Sequence, residues 1–267
     1  MSVLLKEKQK FMVANWKMNP ATSDEAISLA ADIREALPVS PSVHVVLCPP
    51  FPFLDDVARE AGVAFELGAQ DCSVYQEGAH TGEVSPKALA SSGCSYVIVG
   101  HSERRAEGET NEQVNAKVRE ALKAGLRPII AIGEARRDSF DASGRWTKEL
   151  DPSVKDQLVA ALEGVSASRA QQVLIAYEPV WAIGTGVSAT VDDVMAVRIL
   201  VQKILRDLYG ASVEARIPIL YGGSTNADSD ALLTSAGVDG FLVGGSSLKP
   251  KEFAAMVGDA QRVATNT

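Results

Sequence analysis

The sequence predicts a single-domain α/β protein, a (β/α)8 barrel, on three observations. Eight short apolar runs rich in Val, Ile, Leu and Ala recur along the 267 residues. Longer segments with helical periodicity separate them, and no linker-like stretch or internal repeat divides the chain. The runs are mostly continuous rather than alternating, as expected of parallel strands covered on both faces. An open, doubly wound sheet would favour a GxGxxG turn after its first strand, whereas here the first run leads into "NWKMNP".

In chain order, strands are expected over Phe11–Lys17, Val43–Cys48, Val63–Gln70, Tyr96–Gly100, Pro128–Ile132, Val173–Glu178, Ile217–Tyr221 and Gly240–Gly244. Between the first two, Asp24–Leu37 aligns Ala26, Ala30, Ile33 and Leu37 on one face. Asn111–Ala124 carries the stripe Val114, Val118, Ala121, Leu122 and stops at Gly125. Val191–Tyr209 carries Val194, Val197, Leu200, Val201, Ile204 and Leu208, with Gly210 beyond, and Lys249–Val263 closes the chain. Residues 1–10 read as a tail and 11–267 as the catalytic barrel. The polar stretch 134–152 after the fifth strand reads as a surface excursion.

A formal net charge of −8 and a pI near 5.0 argue against nucleic acid or an anionic membrane as a partner. The three cysteines, Cys48, Cys72 and Cys94, lack CxxC spacing and fit free thiols in a reducing compartment. "MSVLLKEKQK" is too short in apolar residues for a signal peptide, and no window approaches a membrane span, so a cytoplasmic protein is expected.

In such a barrel the C-terminal strand ends converge on one mouth, where active sites sit. Those ends supply Asn15 and Lys17, His101 to Glu103, Glu178, "YGGS" at 221–224 and "VGG" at 243–245. Each alone has an ordinary explanation: a solvated lysine, a histidine capping a helix, a carboxylate at a strand terminus, glycines in turns. Together, a cation, a histidine, a carboxylate and two glycine-rich turns suit acid–base chemistry on a small phosphorylated molecule. "VGGSSL" would aim backbone N–H groups at an oxyanion where a short helix begins. The three histidines, His44, His80 and His101, share no ligand spacing, so no metal is expected. Apolar groups between a proline and two glycines in "PVWAIGTG", residues 179–186, read as a lid.

"NWKMN" at 15–19, "GHSERR" at 100–105, "AYEPVWAIGTG" at 176–186, "YGGS" at 221–224 and "GFLVGGSSLKPKEF" at 240–253 resemble, in order, the motifs of the triosephosphate isomerase family. The resemblance runs from about Phe11 to the end. It implies reversible interconversion of dihydroxyacetone phosphate and D-glyceraldehyde 3-phosphate through an enediolate, a step of glycolysis and gluconeogenesis, without a cofactor. The implied roles are Glu178 as base, His101 as electrophile and Lys17 and Asn15 as polar contacts to substrate. Gly184, Ser224, Gly244 and Gly245 would hold the phosphate, and Glu103 would contact Lys17 across the mouth. Arg104 and Arg105 are expected to make structural pairs. The chain departs from the family pattern at Val187-Ser188, within the lid's second hinge, and at Ala131, where a cysteine is usual. The resemblance also implies a homodimer in which the loop 72–85 of one subunit inserts beside Asn15 and Lys17 of the other. A Schiff-base aldolase would need a lysine inside the barrel, and strands five to eight contain none. A barrel that only binds a sugar phosphate would leave base, electrophile and lid without a purpose.

Overall fold

The computed structural model describes residues 9–38, 42–136, 151–182, 189–223 and 229–265, of which 229–231 by backbone alone. Strands β1 (Lys10–Asn15), β2 (Val43–Cys48), β3 (Glu66–Ala69), β4 (Cys94–Val99), β5 (Arg127–Ile132), β6 (Leu174–Tyr177), β7 (Ile219–Tyr221) and β8 (Gly240–Val243) close into a barrel in sequence order. Every neighbouring pair is parallel, and β8 returns to pair with β1. This is the expected (β/α)8 barrel.

Helices occupy the connections: α1 (Ser23–Ala36), α2 (Leu54–Ala61), α3 (Pro86–Ser91), α4 (Ser102–Ala106), α5 (Asn111–Lys123), α6 (Pro152–Ala161), α7 (Ala167–Ala170), α8 (Val191–Tyr209), α9 (Ala211–Glu214), α10 (Ser229–Thr234) and α11 (Pro250–Thr265). Their starts are set by local chemistry. Thr22, Thr110 and Thr190 each cap a helix, with Glu25, Gln113 and Asp193 reaching back to complete a capping box.

Two apolar layers follow from strand alternation. Phe11, Val13, Val46, Tyr96, Ile98, Ile129, Leu174, Ala176, Leu220 and Leu242 fill the barrel interior. Their alternates, such as Met12, Ala14, Val97, Ile130, Ile175 and Val243, face the helices. Continuing the inward phase past each strand end brings Asn15, Gly100, Glu178, Gly222 and Gly244 to the mouth.

Boundaries differ from expectation in a few places. β3 begins at Glu66, and Val63, expected in that strand, is fully exposed after the turn at Gly62. Leu208 is 45% exposed: near the end of α8 it lines a surface groove with Val159 and Tyr209 instead of facing the sheet. α11 starts at Pro250, whose fixed φ suits a first helical turn. Lys17, Gly100, Glu178 and Gly244 lie beyond their strands because the ladder ends where the chain turns into the mouth. The segments 137–150 and 183–188, which contain most of the excursion and the lid's tip with Val187-Ser188, lie outside the described residues, as do Gly184 and Ser224.

Candidate active site

Lys17 follows β1 with φ at +54°, a left-handed conformation that a side chain disfavours. Two neighbours hold it there. The Asn15 Oδ1 accepts from the Lys17 N–H at 3.1 Å, and Gln70 Nε2 donates to the Lys17 carbonyl at 2.7 Å. Gln70 also donates to the Cys48 carbonyl at 2.9 Å, tying the end of β2 to the same point. The lysine is thereby aimed across the mouth, where its Nζ meets Glu103 Oε1 at 2.5 Å. Its Cε lies 3.5 Å from where a Cβ on Gly244 would stand, which brings the "VGG" turn after β8 into the same site. Burial alone would raise the Glu103 pKa, but the Lys17 hydrogen bond and charge, with a smaller effect of His101, hold it below the usual carboxylate range.

His101 is the N-cap of α4, and its ring does the capping. Nδ1 accepts from the Glu103 N–H at 3.2 Å. An accepting Nδ1 carries no hydrogen, so the neutral ring has its proton on Nε2. Nε2 lies 2.9 Å from Glu178 Oε1, and the other carboxylate oxygen accepts from the Ser102 N–H at 2.9 Å. Both side chains are buried, Glu178 to 2% and His101 to 7% exposure. Glu178 fits because no side chain occupies residue 222: a Cβ there would lie 3.0 Å from the Glu178 Cγ. Asn15, Lys17, His101, Glu103, Glu178 and Gly244 are thus gathered at one mouth, with Gly245 opening the Gly245–Leu248 3₁₀ turn beside them. Among the described residues, no atom stands within 4 Å of a Cβ position on Gly245, so they leave room there for a ligand.

Arg104 pairs with Asp71 at 3.2 Å and with Glu107 at 2.5 Å, as structural pairs should. Three groups escaped the sequence reading. Gln70 holds Lys17, as above. Lys117, Asp71 and Glu109 form a largely buried ion cluster behind the loop after β3. Glu134, after β5, accepts from Tyr177 Oη at 2.8 Å and Trp181 Nε1 at 2.5 Å, fixing the first turn of the proposed lid to the barrel. Burial pushes the Glu134 carboxyl upward despite those bonds. Its position at a strand end in "IGE" was a legible signal; its partners were not.

Among the described residues, no group of three or more His, Cys, Asp or Glu is arranged to hold a metal ion, and no helix is long and apolar enough to cross a membrane. The geometry provides a proton acceptor, a facing N–H donor, a cation and open glycine turns.

Comparison with known proteins agrees with this chemistry. The family model described as triosephosphate isomerase matches residues 10–260. A triosephosphate isomerase of Alkalilimnicola ehrlichii is 42% identical over 262 residues, covering 95% of this chain and 99% of that protein. Those of Chloroflexus aurantiacus (42%, 91% and 95%) and Rhodopirellula baltica (41%, 92% and 95%) are similarly related. The match takes in both motif-bearing halves of the mouth, from "NWKMN" to "VGGSSL", and the chain belongs to the triosephosphate isomerase family.

Proposed function

We propose that this mouth carries out the family's isomerisation, interconverting dihydroxyacetone phosphate and D-glyceraldehyde 3-phosphate, with the following division of labour. Glu178 removes a proton from the carbon beside the substrate carbonyl, and the C–H electron pair moves to form an enediolate. His101 donates its Nε2 hydrogen toward the carbonyl oxygen as negative charge develops there. His101 passes that hydrogen to the former carbonyl oxygen and takes one back from the adjacent hydroxyl, and Glu178 returns its proton to the former carbonyl carbon, so the carbonyl now stands on the carbon first deprotonated. Lys17 and Asn15 contact the substrate, and Glu103 fixes Lys17. The backbone N–H groups of Gly244 and Gly245, with Gly184 and Ser224, receive the phosphate. The observation that carries this reading is the 2.9 Å approach of His101 Nε2 to Glu178 Oε1, with Nδ1 already occupied as an acceptor. A carbonyl entering between them would take over the donor and leave the carboxylate oxygen free to act as base. Incubation with dihydroxyacetone phosphate in deuterated water tests it: deuterium should enter substrate carbon during isomerisation. Binding with no exchange would leave a sugar-phosphate receptor instead.

The same reading places the protein in the cytoplasm, supported by its acidity and three buried free cysteines, and treats residues 11–267, with Lys10 opening β1, as one catalytic unit. It also includes a C₂ homodimer built through residues 72–85. A cleft of about 720 Å³ between Lys17, Glu103 and this loop supports it, since Phe51 and Tyr75 on its rim are exposed. The loop is already shaped as a finger: Ser73 N–H donates to the Val84 carbonyl at 2.8 Å, and Tyr75 stacks on His80 with centroids 3.6 Å apart. Replacing residues 76–82 by a short polar turn should give monomers of strongly reduced kcat by sedimentation and assay. A dimeric or fully active trimmed variant would refute the assembly.

A further inference from the structure

We infer that Arg105 is a positioning residue for the reaction, one that clamps the peptide unit carrying His101; the inference rests on the assignment of His101 and Glu178 just made. Arg105 meets both carbonyls that bracket His101. Its side-chain Nε donates to the Gly100 carbonyl at 2.9 Å, and its backbone N–H donates to the His101 carbonyl at 3.0 Å. A single residue thereby fixes the chain immediately before and immediately after the Cα from which the imidazole projects.

The guanidinium is itself held from the far side. Nη1 donates to Asn111 Oδ1 at 2.7 Å, at the first residue of α5. Among the described residues, Nη2 is buried and has no hydrogen-bond partner. It lies 3.1 Å from where a Cβ on Gly100 would stand, as do the Ala131 carbonyl oxygen and Val114 Cγ1. Gly100 also has φ at +72°. Glycine at 100 and arginine at 105 therefore interlock: the space a side chain would take at 100 is the space the guanidinium uses.

A buried donor left unpaired is costly, so a shorter or apolar residue would be favoured here if stability alone were at stake. The arrangement makes sense when a rigid planar fork is needed to hold two groups in a set orientation, which a lysine's flexible ammonium fixes less tightly. Burial lowers the guanidinium pKa, while attraction to Glu109 and Glu178 opposes that effect, so the cation also lies within the electrostatic reach of the base. His101 must present Nε2 to an oxygen within hydrogen-bond distance, and a displacement of about 1 Å costs on the order of 10²-fold in rate.

The test uses Arg105→Met, Arg105→Lys and Asn111→Ala in the full chain. Arg105→Met should lower kcat on the order of 10²-fold while KM stays near the wild-type value. Arg105→Lys should recover part of that loss, and Asn111→Ala, which touches only the far side of the clamp, should lower kcat by a smaller factor. With ¹⁵N-histidine labelling, the His101 Nε2–H resonance of the unliganded protein should broaden or shift in each variant, which a role confined to global stability would not cause. Full kcat with an unchanged resonance in Arg105→Lys and Asn111→Ala overturns the inference, even if Arg105→Met does not fold. A parallel fall in kcat and in folded fraction, with the resonance unmoved, also overturns it. If Glu178→Gln retains full turnover, it is the site assignment that fails; the imidazole resonance still reports whether Arg105 holds His101.

Discussion

The two ends of the barrel use similar residues to opposite effect. At the N-terminal end the polar groups are paired among themselves and packed on rings. Phe11 stacks on His44 at 4.8 Å and meets Tyr96 edge-on at 6.3 Å, and the Arg127 guanidinium lies over both Phe11 and Tyr96. Arg127 donates to Tyr96 Oη at 2.9 Å, while Glu66 binds His44 at 2.8 Å, and that hydrogen bond depresses its pKa. At the C-terminal end His101 and Glu178 face each other with glycines around them, and the anchoring is done from the backbone by Gln70, Asn15, Arg105 and the start of α4. A histidine and a glutamate thus form a plug at one mouth and a working pair at the other. What separates the two is whether their neighbours are aromatic rings or glycine turns that admit a close approach.

Breaking each end should therefore damage a different property. The largest effect is expected from Glu178→Gln, which keeps the shape but removes the base: kcat should fall by about 10²–10⁴-fold with melting temperature nearly unchanged. A variant near wild-type kcat would remove Glu178 from the chemistry. The mirror experiment is Phe11→Ala, which empties the plug's fully buried ring. It should cost about 3–5 kcal/mol of stability in denaturant unfolding, while kcat per folded molecule holds. A selective loss of kcat there would mean the two ends are coupled.

A smaller effect sharpens the idea that the catalytic end is defined by open space. Gly245→Val should block the phosphate turn, and losing one hydrogen bond to a charged group, about 1.5–3 kcal/mol, corresponds to a roughly 10- to 100-fold rise in KM. Inhibition by inorganic phosphate should weaken in step; unchanged inhibition would move the phosphate elsewhere. The smallest effect concerns the Lys17–Glu103 pair, with Glu103 more than half exposed. A carboxylate whose folded pKa is depressed stabilises the fold above its unfolded pKa and loses that contribution as pH falls through the folded value. The difference in unfolding free energy between wild type and Glu103→Gln should thus be small at pH 7, about 1 kcal/mol at most. It should begin to shrink as pH drops below about 4 and vanish only below the depressed folded value, and a difference that grows in acid would contradict the assignment.

How much of this was legible in the sequence depends on whether a residue's role is local. The strands were visible as apolar runs, and α8 matched its expected limits because Thr190 and Gly210 mark its ends. His101 and Glu178 were visible because each follows a buried strand, where a polar group demands a reason. Val63 misled because its apolar character says nothing about the turn at Gly62 that turns it outward. Gln70, Glu134 and Arg105 were unreadable in their present roles because each acts through partners far away in the chain or through backbone carbonyls, which carry no signature. Nothing in a lysine forecasts a positive φ.

That left-handed Lys17 sets evolution a bind. A non-glycine residue in this conformation sacrifices roughly 1 kcal/mol or more, and glycine would relax it at once. Lys17→Gly would release that strain but give up the Glu103 pair and add glycine's freedom to the unfolded chain, so the fold should gain little while the mouth loses its cation.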